Sequence, residues 1–157
     1  AHIYVLHVRV RQHEIDGLGH VNNASYLNYL EQAAIDHAAA AGYDAARLRE
    51  LGGTFVARRH EIDYLRPAVA GDWLRVTTWP VELGAARAIR AYEIARVTAA
   101  ELDADRPVDG LFPPESVAAP LGAVVVRART LWAYVDVQSG RPRRMPAEIA
   151  VAFLRLT

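Results

Sequence analysis

The sequence predicts an α+β layer fold in which a five-stranded antiparallel sheet packs around one long central helix. Three observations carry that expectation. Only residues 24–41 keep apolar side chains at three-to-four spacing for long enough to build a long helix. Five other stretches are rich in β-branched and aromatic residues and read as strands. After the helix the strands follow one another across short turns, and consecutive strands so joined must run antiparallel.

In chain order, residues 3–11 alternate β-formers with polar side chains and form the first strand. Residues 12–23 make a loop, turned by Gly17 and Gly19. Asn22 or Asn23 can then cap the long helix with a side-chain oxygen. Tyr26, Leu27, Leu30, Ala33, Ala34, His37 and Ala41 fall on one face of it, and Gly42 stops it. The small alanines let a neighbour approach closely. Residues 45–51 suit a short second helix. Strands at 54–65, 72–81 and 86–98 follow, separated by Arg66-Pro67, Gly71-Asp72 and Leu83-Gly84. Residues 99–120 carry Pro107, Pro113, Pro114 and Pro120, too irregular a run for a strand, and read as a mobile loop or a lid. The Val-rich stretch 121–137 is the last strand and reads as a central one. Met145-Pro146-Ala147-Glu148 looks like the start of a short terminal helix.

At 157 residues, 52% of them apolar, the chain suits one domain spanning residues 1–157 with a sizeable core. Its 18 basic and 18 acidic residues balance, which argues against nucleic acid or an anionic membrane as partner. All the cations of side chains other than histidine are arginines, so a Schiff-base or general-base lysine is excluded, while bidentate phosphate binding is not. The absence of cysteine excludes disulfides, thiolate catalysis and Cys-ligated metals. The six histidines show no metal-ligand spacing, and neither a GxSxG elbow, a P-loop nor a dinucleotide motif is present, so no metal or cofactor is expected. No apolar run is long enough to span a membrane, and the first residues lack a basic segment followed by an apolar core; the expectation is a cytoplasmic protein.

The segment Asp16-Gly17-Leu18-Gly19-His20-Val21-Asn22-Asn23-Ala24-Ser25-Tyr26-Leu27 is the richest in chemistry. It sets a carboxylate before a glycine turn that feeds an asparagine-capped helix. Helix starts present unpaired N–H groups and a positive dipole end. A carbonyl held there is polarised, and Asp16 can attack it or activate water against it. Such a site suits a thioester far better than an amide, whose leaving group is poorer. Asp16 is equally a turn or cap residue, since Asp-Gly is a common turn pair. His20 is a second candidate, and Glu31 in mid-helix reads as a carboxylate satisfied by hydrogen bonds. Arg58-Arg59-His60, Arg87 and Arg90 read either as a solvated strand face or as ligands for a phosphate lying across the sheet. Arg141, Arg143 and Arg144 read as a solvated turn.

The pattern Asp16-x-x-Gly19-His20-Val21-Asn22-Asn23-x-x-Tyr26-Leu27, with Glu31 after it, resembles the hotdog-fold acyl-CoA thioesterases of the 4-hydroxybenzoyl-CoA thioesterase type. So do Ile62-Asp63-Tyr64-Leu65-Arg66-Pro67-Ala68 with Gly71-Asp72, and Trp132-Ala133-Tyr134-Val135-Asp136. The resemblance implies a sheet wrapped around the long helix, a dimer joined sheet edge to sheet edge and often paired into a tetramer, and active sites at the dimer interface. It implies Asp16 as catalytic carboxylate and the helix-start amide near Asn23 as the group that polarises the carbonyl. His20, Asn22 and Tyr26, with Gly19, would line the pocket, and Arg87 would meet a CoA phosphate; Arg58 and Arg59 stay binding candidates on their strand-face position alone. The family's other branch places its acid on the central helix after a His-Gly-Gly turn, which is missing here, so Glu31 does not take Asp16's place. The expected function is hydrolysis of an acyl-CoA, with an acyl-carrier-protein thioester as the lesser alternative substrate. The rivals are a hydratase or dehydratase of the same fold and a non-catalytic acyl-CoA-binding module. The 99–120 excursion is longer than a hairpin needs and would cover or narrow the acyl site.

Overall fold

The computed structural model describes residues 2–104 and 108–154. In chain order it runs β1 (Ile3–Arg9), α1 (Asn23–Ala40), α2 (Ala45–Glu50), β2 (Gly53–Tyr64), β3 (Trp73–Leu83), β4 (Arg87–Arg96), α3 (Ala99–Ala104), β5 (Gly110–Phe112), β6 (Val124–Asp136) and α4 (Ala147–Leu154). One sheet holds all six strands in the order β2-β6-β4-β3-β1-β5, and every pairing is antiparallel. The long helix lies against this sheet. This is the α+β hotdog arrangement that the resemblance implies.

The helix forms for the expected reasons. Asn22 is its N-cap, with Oδ1 accepting from the Ala24 amide at 2.8 Å, and Gly42 follows its end with φ 95°. It buries Tyr26, Tyr29, Leu30, Ala33, Ala34 and His37 against the sheet. Tyr29 belongs to that face, and Leu27 is only half-buried. Leu30 and Ala33 have no exposed surface, so the small residues do permit close helix–sheet packing. A second, smaller core joins Leu48, Tyr134, Met145, Ile149 and Phe153 beneath α2 and α4.

One expectation needs correction. Among the described residues the sheet has six strands, not five, because the 99–120 excursion is not a loop throughout. It carries α3, then β5, which pairs antiparallel with β1 from Ile3↔Phe112 to Val5↔Gly110. Asp109 fastens it further, since its Oδ1 accepts from the His7 amide at 2.8 Å. Three residues are too few to show a period of two, yet the open edge of β1 offers backbone partners that satisfy them. Pro107 lies outside the described residues.

β2 and β3 run antiparallel, as expected, but are not adjacent: β2 sits at one edge beside β6, and β3 lies between β4 and β1. Residues 65–72 cross the end of the sheet instead of turning back. Leu65 and Arg66 both donate to the Val125 carbonyl on β6, the Arg96 side chain on β4 donates to the Pro67 carbonyl, and the Gly71 amide reaches the Val10 carbonyl beyond β1 at 3.0 Å. Each strand end crossed offers the connection a polar partner, so an extended path satisfies its backbone without a hairpin. The last strand is flanked on both sides, by β2 and β4, as its Val-rich sequence suggests.

Gly122, just before β6, marks a point of close approach: a Cβ there would overlap the backbone carbonyl of Arg96. Gly122→Ala is therefore expected to destabilise the protein by about 1–3 kcal/mol, the range for forced overpacking. Urea unfolding measures it, and an unchanged midpoint would show that residues 121–123 give way freely.

Candidate active site

The site grows from the loop between β1 and α1. The Asp16 amide donates to the His20 carbonyl at 2.7 Å, and the Gly19 amide returns to the Asp16 carbonyl at 3.1 Å. This tight loop needs Gly19 at φ 80°, where a side chain would be strained. Asp16 Oδ1 accepts from the Leu18 amide at 2.9 Å and the His20 amide at 3.1 Å. The carboxylate thus has the loop-holding role of a turn aspartate through one oxygen. Among the described residues no hydrogen bond goes to the other oxygen, Oδ2. The loop is pinned to its surroundings where the Val21 amide meets the Ala68 carbonyl at 2.9 Å and the Asn22 amide meets the Glu14 carbonyl at 2.8 Å.

Asp16 lines a cavity of about 480 Å³. One wall is Leu18, His20, Val21, Asn22 and Asn23, running from the loop into the first turn of α1; Tyr26 follows one turn on. The opposite wall is Tyr64, Leu65, Arg66 and Pro67, the start of the crossing segment. Asn23 is the first residue of α1, and among the described residues its amide donates no hydrogen bond. It stands at the positive end of an 18-residue helix. A half-buried carboxylate and an unpaired helix-start amide therefore face one space. Burial keeps the Tyr26 phenol above its ordinary range, so it stays a neutral hydroxyl at neutral pH.

Of the residues singled out in the sequence, Asp16, His20, Asn22, Asn23 and Tyr26 come together around this cavity, and Gly19 shapes the loop behind it. Arg58, Arg59 and Arg87 do not. Arg58 is the extra residue at a bulge in β2, and Arg59 pairs with Glu61 at 2.6 Å on the exposed face. His60 bonds Thr130 at 2.8 Å. Arg87 begins β4, whereas the Arg96 end of that strand neighbours Pro67, so Arg87 lies a strand's length away within one chain. Glu31 is exposed and away from Asp16's cavity. No residue of the 99–120 excursion lines it, so among the described residues that segment does not cover the site. Reasoning about single residues missed Tyr64, Leu65, Arg66 and Pro67. The Tyr64 hydroxyl donates to the Asn23 carbonyl at 3.1 Å, and its ring lies 5.7 Å from that of Tyr26. The signal for them was the run Tyr64-Leu65-Arg66-Pro67, which reads locally as a strand end.

Among the described residues no group of His, Asp and Glu is placed to hold a metal ion, and no helix is long and apolar enough to cross a membrane. The family model described as the Thioesterase-like superfamily matches residues 10–153, a span that takes in the Asp16 loop, α1 and the crossing segment. The chain belongs to the Thioesterase-like superfamily. None of the curated proteins compared with it matches in sequence. Among solved structures with the superfamily's fold, a 1,4-dihydroxy-2-naphthoyl-CoA thioesterase from Synechocystis is 19% identical with a TM-score of 0.75, the match covering 98% of this chain and 97% of that one. A probable thioesterase from Escherichia coli is 25% identical with a TM-score of 0.70, covering 95% of both chains. A Staphylococcus aureus protein solved in complex with CoA is 13% identical with a TM-score of 0.75, covering 96% of this chain and 80% of that one.

Proposed function

We propose that this member of the Thioesterase-like superfamily hydrolyses acyl-CoA thioesters, as the 4-hydroxybenzoyl-CoA type does, with Asp16 as the reacting carboxylate. The observation that carries the reading is the meeting of Asp16 and the unpaired Asn23 amide on one cavity. The thioester carbonyl oxygen would take the Asn23 N–H, where charge develops as the carbonyl carbon becomes tetrahedral. As general base, Asp16 Oδ2 takes a proton from water while the water oxygen bonds to the carbonyl carbon. The carbon–sulfur bond then breaks, the thiolate leaves and is protonated, and the acid remains. As nucleophile, the same oxygen adds to the carbon directly and the resulting anhydride is hydrolysed. Both routes use the same geometry. Arg66, exposed in the cavity wall, is the arginine best placed for a CoA phosphate within one chain. The outer edge of β2 carries no strand among the described residues, which supports self-association there as a dimer or tetramer; a partner could then bring Arg58, Arg59 or Arg87 to the cavity. A cytoplasmic setting completes the reading.

Thiol release, followed with a chromogenic reagent across short, long, branched and aromatic acyl-CoAs, tests it. Release from at least one class is expected. Binding of acyl-CoA with no release from any would instead favour a hydratase or a non-catalytic binding module. Tyr64→Phe removes the bond to the Asn23 carbonyl that steadies the helix start. Such a bond is worth about 0.5–1.5 kcal/mol of stability, so the melting temperature is expected to fall by a few degrees at most, and kcat/KM by up to about tenfold as the helix start loosens. An unaltered kcat/KM would show that Tyr64 serves only as wall.

A further inference from the structure

The far end of α1 carries a second cavity that the reading above leaves unused. It holds about 340 Å³ between the C-terminal half of α1, α2, the sheet and α4. His37, at the inner face of α1, stands 14 residues beyond Asn23, or about 21 Å at 1.5 Å per residue, so the two cavities serve opposite ends of the helix. Ala34, Ala38, Leu48, Phe55, Trp132 and Phe153 give the second cavity apolar walls.

One cation interrupts those walls. Arg90, on β4, is 8% exposed and lines the cavity. Its Nη1 lies 2.7 Å from His37 Nδ1 and donates to Thr78 Oγ1 at 3.2 Å. A guanidinium has no acceptor, so the hydrogen bond to His37 requires a bare Nδ1 and the Nε2–H tautomer. His37 and Thr78, the two side chains that accept from the Arg90 cation, are therefore both neutral. Among the described residues no carboxylate pairs with Arg90, and Nη2 and Nε make no hydrogen bond. The Phe153 ring covers one side of the guanidinium, 5.6 Å from its carbon. A buried cation without a carboxylate partner is costly, and here it borders an apolar cavity.

We infer that this cavity binds an apolar monocarboxylate, the carboxylate pairing with Arg90 and the hydrocarbon body filling the apolar space. The planar fork of a guanidinium matches two carboxylate oxygens. A dianionic phosphate fits less well: Arg90 supplies a single charge, and Glu31 and Asp44 also line the cavity. Asp44 is already engaged as the cap of α2, bonding the Arg47 amide at 2.8 Å. His37 is held neutral, well below its ordinary value at about 3, first by burial and then by Arg90, so it leaves the site's single positive charge to Arg90. This site is independent of chemistry at Asp16.

Isothermal titration calorimetry with octanoate, octan-1-ol and octyl phosphate tests the inference without measuring turnover, so its outcome is separate from that of the thioesterase reading. One octanoate per chain should bind, with octan-1-ol and octyl phosphate each weaker by about tenfold or more. Arg90→Met should remove that preference for octanoate over octan-1-ol. Ala38→Phe, which fills the cavity and leaves Arg90 and His37 in place, should abolish binding of both and decides the matter even if Arg90→Met does not fold. Octanoate that fails to bind, binds no better than octan-1-ol or octyl phosphate, or still binds Ala38→Phe as it binds the native chain would overturn it.

Discussion

Asp16→Asn should lower thioester hydrolysis by about 10²–10⁴-fold, the usual contribution of a positioned base, while leaving the fold intact. The amide is nearly isosteric with the carboxylate. Its oxygen can still accept from the Leu18 and His20 amides, so the loop that shapes the site keeps both of its side-chain hydrogen bonds. What the amide cannot do is take a proton from water or attack a carbonyl carbon. Loss of turnover with an unchanged melting temperature would therefore separate the chemical role of Asp16 from its loop-holding role. Asp16→Ala removes both roles and should also lower stability, by about 1 kcal/mol for each lost hydrogen bond. An Asp16→Asn protein that releases thiol within twofold of the native rate would sink the mechanism.

The second large effect concerns pH and the buried His37–Arg90 pair. His37 is 1% exposed, and its pKa in the fold is about 3, lowered chiefly by burial, then by Arg90 and His2. In the unfolded chain it returns to about 6.5. Between those values the unfolded chain binds the extra proton, so stability rises with pH across the window and falls as pH drops through it. Above about pH 6.5 the contribution of neutral His37 is complete. At about 1.4 kcal/mol per unit, moving from pH 7 to pH 4.5 costs roughly 2–3 kcal/mol from this group alone. His37→Gln keeps an acceptor for Arg90 and cannot titrate. Urea unfolding of both proteins at the two pH values isolates the effect, since the carboxylates titrate alike in each. The native chain should lose more stability than the variant, and equal losses would mean that His37 does not carry the dependence.

The parts legible in the sequence were those governed by local rules. The period of α1, its Asn22 cap, the turn at Gly19 and the Val-rich character of β6 each rest on a few adjacent residues, and the structure has them. The Asp16 loop was readable for the same reason, because the carboxylate, the turn and the helix start are contiguous. What escaped depended on tertiary pairing. Residues 110–112 become a strand only because β1 has an open edge. Residues 65–72 cross the sheet because Val125, Arg96 and Val10 wait there to bond with them. The second wall of Asp16's cavity, from Tyr64 to Pro67, comes from that crossing, so its residues could not be assigned to the site from local sequence. Arg90 was read with the exposed arginines for a related reason: nothing in its neighbours on the strand reveals that His37, 53 positions earlier, lies over it.

The strand order also sets a timetable for synthesis. β2 pairs with β6, from Tyr64↔Val126 to Gly53↔Asp136, so its residues leave the ribosome 62 to 83 positions ahead of their partners. At about 5–20 residues per second that is a delay of roughly 3–17 s. Through that interval a 12-residue strand lacks its β-sheet partner, a condition in which nascent chains stick to one another. The exposed run Arg58-Arg59-His60-Glu61, with Asp63 beyond it, places charge along the middle of the strand. Charge at such positions disfavours association of an unpaired strand, so the same side chains that decorate the folded surface oppose aggregation until β6 arrives.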